Sequence, residues 1–374
     1  MEKIAICIIG AGPAGIATAA ALVKQRPALR DQILLIEKEQ HPRHKLCGGG
    51  LTPWADQLLR ELALEAPAPD FCVNRVLFYL NESPLTFDIP GLMRTVRRNE
   101  FDAALAGSLR RKGVRILENT AAQNFTENDE GILITTSGGE FLAKLVVGAD
   151  GAKSLVRRQF FREMPSRVSR LLEVLVPANN GASHVFENQA VVIDFRAMRE
   201  GLQGYVWDFP CWVNGAPHLN VGLFDSRIHD GQNNLRADLP ALLNRHLETR
   251  GFKPSTQLMG HPERWFHPVD RFSRPRVLLA GEAAGIEPWL GEGISAALAY
   301  GFVAAETIVY ALDTNDFTLA DYQQRIRVHR LGKLLRRNRI IAKVFYGKYF
   351  RALLPSFGRV LRGYVSIKHR LSAR

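Results

Sequence analysis

Ile4-Ala5-Ile6-Cys7-Ile8-Ile9-Gly10-Ala11-Gly12-Pro13-Ala14-Gly15-Ile16 is the stretch whose reading decides the fold of this chain. The apolar, mostly β-branched run from Ile4 to Ile9 reads as a fully buried parallel strand, and an Ala-rich helical run opens near Pro13. Between them Gly10 allows a tight turn, Gly12 lets the backbone approach a pyrophosphate, and Gly15 lets the helix pack close to the strand. The helix N-terminus offers N–H groups and a positive dipole end to the phosphates. A second strand, Ile33 to Ile36, ends at Glu37, 22 residues past Gly15, where a carboxylate can accept hydrogen bonds from ribose hydroxyls. A glycine-rich turn in a nucleotide-free α/β domain is the alternative; strand, helix and trailing acid together argue against it. With the motif at the start of the chain, its GxGPxG form is expected to hold FAD rather than NAD.

Working outward, 374 residues allow a large core, and one large or two intimately joined domains are expected. Hydrophobic content of 46% and charged content of 23% are ordinary for a soluble globular protein. Residues 5–23 are nearly all apolar, but fingerprint glycines and the lack of a cleavage-site pattern argue against a signal peptide or a membrane span. No other stretch is read as long and apolar enough to span a bilayer. Cys7, Cys47, Cys72 and Cys211 make no CxxC pair and no metal-ligand spacing, so no metal site and a reducing cytoplasm are expected. The net charge of +12 is uneven: residues 322–374 hold fifteen Lys and Arg and no acid, and subtracting them leaves −3 for the rest.

Residues 1–40 read as β-α-β and 41–53 as a loop too glycine-rich for an element. A helix from Trp54 to Leu64 and a Pro-rich break at Pro67 and Pro69 follow. Arg75–Leu80 and Leu85–Ile89 look like antiparallel strands inserted between halves of the nucleotide domain. Phe101 to Lys112 is an amphipathic helix, Val114–Leu117 a strand, and Ile132–Thr136 with Phe141–Val147 a hairpin. Residues 169–259 alternate short β-like runs with turn signals such as Asn179-Asn180-Gly181, suggesting a sheet over a ligand cavity. Val277–Ala280 returns to a buried strand before a long helix from Gly293 to Leu312. The expected architecture is therefore α/β (α+β). A Rossmann-like FAD-binding domain (1–75, 95–168, 270–320) encloses an antiparallel β-rich substrate domain (76–94, 169–269), and basic C-terminal helices follow (321–374).

Two further segments carry chemistry. In Gly148-Ala149-Asp150-Gly151 a carboxylate at a strand's C-terminal end can reach cofactor hydroxyls, and Ser154 can cap the helix it begins. In Gly281-Glu282-Ala283-Ala284-Gly285, through Pro288 to Gly291-Glu292-Gly293-Ile294, an acid again follows a buried strand and small residues admit a flat ring. The helix opening near Gly293 points its positive end at that ring, where it would stabilise negative charge developing on a flavin. Lys38, next to Glu37, and Ala122 are further expected cofactor contacts.

Together the three segments resemble the FAD-binding pattern of the two-domain flavoproteins related to aromatic hydroxylases. Lys45-Leu46-Cys47-Gly48-Gly49-Gly50-Leu51 and Gly204-Tyr205-Val206-Trp207-Asp208-Phe209-Pro210 further resemble the KxCGGGL and YxWxFP signatures of the geranylgeranyl reductase family. Arg98, ahead of Phe101-Asp102, matches that family's R-x-x-F-D. The resemblance implies an FAD enzyme that saturates isolated double bonds of prenyl chains, with Lys45, Cys47, Gly48, Gly49 and Arg98 near the flavin. Period two puts Tyr205, Trp207 and Phe209 on one face of a strand, where with Pro288 they could wall a hydrocarbon slot or simply pack a core. The family's usual Gly-Asp is Gly281-Glu282 here, one methylene longer. No dedicated nicotinamide-binding motif is legible, which leaves the reductant open between NADPH and a ferredoxin-type donor.

An unactivated alkene offers no carbonyl to polarise. Catalysis would come from holding the double bond against the flavin in a dry cavity and supplying a proton. Cys47 is the expected donor or relay, its alternative being a small buried hydrophobe, and Tyr205 and Trp207 are the other candidate catalytic groups. A flavin monooxygenase or dehydrogenase acting on an aromatic or lipid substrate shares every FAD motif. A halogenase would carry WxWxIP where this chain has Tyr205 and Phe209, and a non-enzymatic flavin-binding regulator is a further class. In the tail Arg336, Arg337, Arg339, Lys343, Lys348 and Arg351 interleave with Ile340, Ile341, Val344, Phe345, Tyr349, Phe350 and Leu353. That composition suits a helix lying on an anionic membrane surface at the inner face, or a solvated helix packed on the body. Nucleic acid has no role beside a flavin site and is not expected.

Overall fold

The computed structural model describes residues 1–66, 68–178, 183–229 and 236–350. Pro67, the turn at 179–181 and the last part of the basic tail, 351–374, lie outside the described residues. The opening apolar run forms β1 (Glu2–Ile9), buried from Ala5 onward. Gly10 turns the chain at φ +103° into α1 (Pro13–Gln25), and β2 (Ile33–Ile36) then pairs parallel to β1. The glycine-rich loop ends in β3 (Gly50–Leu51), and Thr52 caps α2 (Pro53–Glu61) by accepting from the Ala55 N–H at 3.3 Å.

The inserted hairpin is β4 (Asp70–Tyr79) and β5 (Leu85–Val96), a wider span than the expected 76–94. There follow α3 (Arg98–Arg111), β6 (Arg115–Leu117), β7 (Ala122–Asn128), β8 (Gly131–Thr136) and β9 (Gly139–Gly148). Only Phe125 of β7 is buried, so a polar exposed strand had no alternation to betray it. After α4 (Leu155–Phe160), the middle of the chain contributes β10 (Val168–Pro177), the short α5 (Ser183–Glu187), β11 (Ala190–Asp194), β12 (Gly204–Val213) and β13 (Ala216–Asp225). Next come α6 (Leu239–Thr249) and β14 (Met259–Arg264). The chain then passes through β15 (Ser273–Arg274) and β16 (Val277–Leu279) to α7 (Ile294–Thr314), α8 (Tyr322–Val328) and α9 (Arg330–Phe345).

These strands make two sheets. The first runs β15-β16-β9-β1-β2-β6, with the β7–β8 hairpin joined to β9. Its parallel registers are level: Ile9 faces both Ile36 and Gly148, Gly148 faces Leu279, and Ile36 faces Leu117. Level strand ends bring Gly10, Glu37, Thr120, Asp150 and Gly281 to one edge, the carboxyl edge where open α/β sheets bind ligands. Helix α7 crosses α1 at Gly301, where a Cβ would sit 2.5 Å from that of Ala17. By length and composition α7 could cross a membrane, with a mean hydropathy of 1.5, which corrects the expectation that no stretch beyond 5–23 could. Nevertheless 72% of its most apolar 18-residue window is buried inside the protein.

The second sheet runs β14-β10-β13-β12-β11-β4-β5-β3. On β12 the side chains alternate as period two requires. Asp208 faces α6, meeting His246 at 2.7 Å and Arg250 at 2.8 Å. Tyr205, Trp207 and Phe209 take the opposite face, their rings in a row 6.0 and 6.1 Å apart. The expectation of short β-like runs and turns over 169–259 is corrected by α6: Asp238 caps it by accepting from the Ala241 N–H at 3.1 Å, and Pro240 sits in its first turn. The first part of the basic tail is also body. Leu331 and Leu335 join the core of the first sheet, and the buried Tyr322 hydroxyl donates to the Leu279 carbonyl at 2.8 Å.

Candidate active site

A cavity of about 630 Å³ opens along the carboxyl edge of the first sheet and reaches the inner face of the second. Gly10, Gly12, Pro13, Ala14, Glu37, Lys38, Ala122 and Asp150 line one part of it. Lys45, Cys47, Arg98, Glu282, Gly291, Gly293 and Ile294 line the other. Three separated segments of the chain thus converge as expected.

Four of the expected cofactor glycines stand behind the wall. A Cβ on Gly15 would lie 2.0 Å from the Gly10 carbonyl oxygen, so Gly15 serves the strand–helix approach. Gly281, at φ +63°, lets the third segment close on Ala14, whose Cβ would be 2.6 Å away. Gly49, at φ +78°, packs on the Val96 carbonyl, and Gly48 lies against the rings of Phe209 and Trp207.

The residues present fit a dinucleotide. A Cβ on Gly12 would meet only the tip of Arg43, at 3.4 Å, so the backbone there faces open space. Among the described residues no side chain caps the N-terminus of α1, which leaves its first turn to a phosphate. Glu37 is buried and shaped by the loop it serves, accepting from the Ala11 N–H at 3.0 Å and the Glu39 N–H at 3.2 Å. Asp150 is split in role. Its Oδ2 accepts from the N–H groups of Leu155 (2.6 Å) and Val156 (3.2 Å), helping Ser154 cap α4, while its buried Oδ1 has no partner among the described residues.

Arg98 and Asp102 form a buried fork, with Nε and one terminal nitrogen donating to the two carboxylate oxygens at 2.8 and 2.9 Å. Cys47 is open to the cavity on one side and enclosed by protein on the others. That enclosure pushes its thiol up, against the pull of the Arg98 charge, so the sulfur keeps its proton at neutral pH. Its Sγ also accepts from the Gly49 N–H at 3.4 Å. The aromatic strand is tied to the same loop: Trp207 Nε1 donates to Asn220 Oδ1 at 2.9 Å, and Asn220 Nδ2 donates to the Cys47 carbonyl at 3.2 Å.

Tyr205, Trp207, Phe209 and Pro288 do not line this cavity, and the catalytic roles expected of Tyr205 and Trp207 need correcting. The Tyr205 hydroxyl is spent on the Leu290 carbonyl at 2.6 Å and the Trp207 N–H on Asn220. Both rings are buried among Phe195, Phe224 and their neighbours, so they brace the cysteine loop and its surroundings. Pro288 accepts from Ser226 Oγ at 2.6 Å.

Several site residues were not legible. Glu287, buried, gathers the N–H groups of Trp289, Leu290 and Glu292 at 2.7 to 2.9 Å and so folds the loop leading to Gly293. Glu292, pushed up to about 7 by burial, takes the N–H and hydroxyl of Ser295, so part of the α7 N-terminus is already satisfied. Arg43, Arg158, His261 and Glu263 also line the cavity. Arg43 had a local signal, lying in the basic run beside the glycine loop; the other three reach the site only through tertiary folding.

Lys45 joins the glycine loop to the third segment, its Nζ 3.3 Å from Glu282 Oε2 and 2.5 Å from His261 Nε2. Burial pushes Glu282 up, but the Lys45 charge and His261 more than offset it and hold the carboxyl below its usual 4.5. A lowered folded value contributes stability that is full above the unfolded value and is lost as pH falls through the folded one. Lys45→Met is therefore expected to cost about 2 kcal/mol near neutral pH and to release flavin at a higher pH than wild type during acidification, followed by flavin fluorescence.

Residues 3–335 match the FAD binding domain family, and the chain belongs to it. It is an FAD-dependent oxidoreductase. It is 25% identical over 356 residues to a digeranylgeranylglycerophospholipid reductase of Methanosphaera stadtmanae, covering 88% of this chain and 84% of that one. A geranylgeranyl bacteriochlorophyll reductase-like structure from Thermoplasma acidophilum superposes with a TM-score of 0.75 at 21% identity, covering 92% and 87% of the two chains. A Pseudomonas aeruginosa structure described as an FAD-dependent monooxygenase shares the fold, with a TM-score of 0.70 at 17% identity over 95% of this chain and 99% of that one.

Proposed function

We propose that this protein reduces isolated C=C bonds of prenyl or similarly apolar chains. The observation that carries the reading is Cys47, a thiol that retains its proton, facing the cofactor cavity from a loop backed by the aromatic strand. A relative named as a digeranylgeranylglycerophospholipid reductase supports it. Bound and reduced, FAD would supply a hydride. The chain would hold the cofactor with Gly12, Glu37, Asp150 and the Gly291–Ile294 turn, exclude water with the packed second sheet, and deliver a proton from Cys47 Sγ. Arg98 beside the sulfur would steady the thiolate left behind. The electrons would come from NADPH or a ferredoxin-type donor.

The test is an anaerobic assay of the reduced protein with a panel of polyprenyl compounds, read by mass. A gain of two hydrogens supports the reading; under air, a gain of one oxygen would assign a monooxygenase instead. Cys47→Ala is expected to keep FAD bound and slow alkene reduction about 100-fold, measured in single turnovers. An undiminished rate would mean that the proton comes from elsewhere.

We also propose that the protein works in the cytoplasm against the inner membrane face, where a prenyl chain resides. Ile340 and Val344 of α9 are 61% and 64% exposed, among Arg336, Lys343 and Lys348. Because deleting 322–374 would strip the buried Tyr322 and Leu331 from the core, the sound comparison is Ile340→Asp with Val344→Asp in the full chain. Co-sedimentation with anionic vesicles is expected for wild type and not for the double variant. Equal pelleting removes the membrane proposal.

A further inference from the structure

Glu263 is a buried acid of the cavity wall that the chemistry above does not use. It stands on β14, opposite Ser169 of β10, and is 8% exposed. Among the described residues its buried Oε2 has no hydrogen-bond partner, and it lies 2.9 Å from where a Cβ on Gly291 would be, at the turn that precedes α7. Gly291 thus leaves the carboxyl room at this turn, and the Phe224 ring closes the same spot at 3.0 Å. A buried carboxylate with an unmet oxygen is costly, whereas a carboxylic acid in the same place is tolerated.

The charged and titratable groups around Glu263 favour the neutral form. Burial pushes it well above the usual carboxylate range, and the charges of Glu282 and Glu287 add to this; Lys45 and Arg98 pull the other way without prevailing. Cys47 and Tyr205 lie within its electrostatic reach and keep their protons. The wall of the cavity therefore carries two protonated groups, a thiol and a carboxylic acid, with Arg98 acting on both.

We propose that Glu263 is the proton reservoir of this cavity, holding a proton in the resting protein and returning it to Cys47 once the thiol has donated its own. The inference rests on the alkene-reductase reading, and its atoms balance within it. The alkene gains one hydrogen with two electrons as hydride and the other as a proton when the Cys47 S–H bond breaks. The thiolate takes a proton as the Glu263 O–H bond breaks, and the Glu263 carboxylate regains one from water at the open side of the cavity. A carboxylate left between Glu282 and Glu287 is unfavourable, which drives this last step.

The test has two arms. In the first, infrared difference spectra of the FAD-reconstituted protein between neutral and alkaline pH are expected to contain a protonated-carboxyl band. That band should be absent from Glu263→Gln and displaced in Glu263→Asp. Spectra unchanged by both variants overturn the proposal, and if Glu263→Gln does not fold, the Asp variant decides. In the second arm dithionite-reduced protein is mixed with geranylgeraniol. Glu263→Gln is expected to keep the rate of the first turnover, served by the Cys47 proton already in place, and to slow later turnovers about 100-fold. It should also lose the decline in rate that wild type shows as pH rises through the raised Glu263 value. Later turnovers at the wild-type rate overturn the reservoir. A wild-type protein that leaves geranylgeraniol untouched while its band behaves as expected would refute the alkene reading and leave the protonated Glu263 standing.

Discussion

Gly15→Ala is expected to yield a chain that retains no flavin and is destabilised by about 3 kcal/mol. The added Cβ would sit 2.0 Å from the Gly10 carbonyl oxygen and 3.2 Å from Ile8 Cγ2. The first of these is backbone and has no rotamer by which to yield. Relief must come from lifting α1 off β1 or opening the Gly10 turn, and either movement spoils the phosphate cradle. The measurements are the ratio of visible to protein absorbance after reconstitution with FAD and the midpoint of urea unfolding. Gly12→Ala is the paired control. Its Cβ would meet only the Arg43 tip, at 3.4 Å. Its urea midpoint should therefore match wild type while FAD affinity falls, because the methyl enters ligand space.

Asp102→Ala should be as damaging by a different route. Asp102 is wholly buried and Arg98 nearly so, and the pair exchanges two short hydrogen bonds while Arg43 approaches the same carboxylate at 3.4 Å. Removing the carboxylate leaves a buried guanidinium uncompensated, which costs about 4 kcal/mol. The loss also loosens Arg98 beside Cys47, so flavin retention should fall together with stability. Thermal unfolding of the reconstituted protein checks this. Asp102→Asn, which keeps the shape and part of the hydrogen bonding, should fall between wild type and Asp102→Ala. A wild-type melting temperature for Asp102→Ala would show that Arg98 finds another partner.

The cofactor half of the site was legible because its chemistry is local. A tight turn at φ +103°, a helix starting at Pro13 and an acid ending the next strand each leave a residue-level mark within 40 residues of sequence. Arg98 and Cys47 were legible through short motifs. The remaining wall was not, because long-range contacts assemble it. His261 and Glu263 arrive from the edge strand of the other sheet, more than 200 residues from Lys45 and Cys47. Nothing near Glu287 in the sequence marks it as the acceptor of three backbone N–H groups. The aromatic strand shows a different shortfall. Period two placed Tyr205, Trp207 and Phe209 on one face correctly, but alternation does not say whether a face is a wall or a packed core. The partners of the Tyr205 hydroxyl and Trp207 N–H decide that, and both are taken by the protein. Helix α6 escaped because leucines in a β-rich context look like strand; the Asp238 cap with Pro240 was the overlooked signal.

Whether these separated segments hold one FAD with its ring at Cys47 is decided by a crystal structure of the FAD-reconstituted protein. One flavin per chain is expected, with its pyrophosphate at the Gly10–Gly15 turn, a ribose at Glu37, and its ring between Cys47 and the Gly291–Ile294 turn. A folded protein that takes up no FAD, or one whose flavin ring lies away from Cys47, would contradict it.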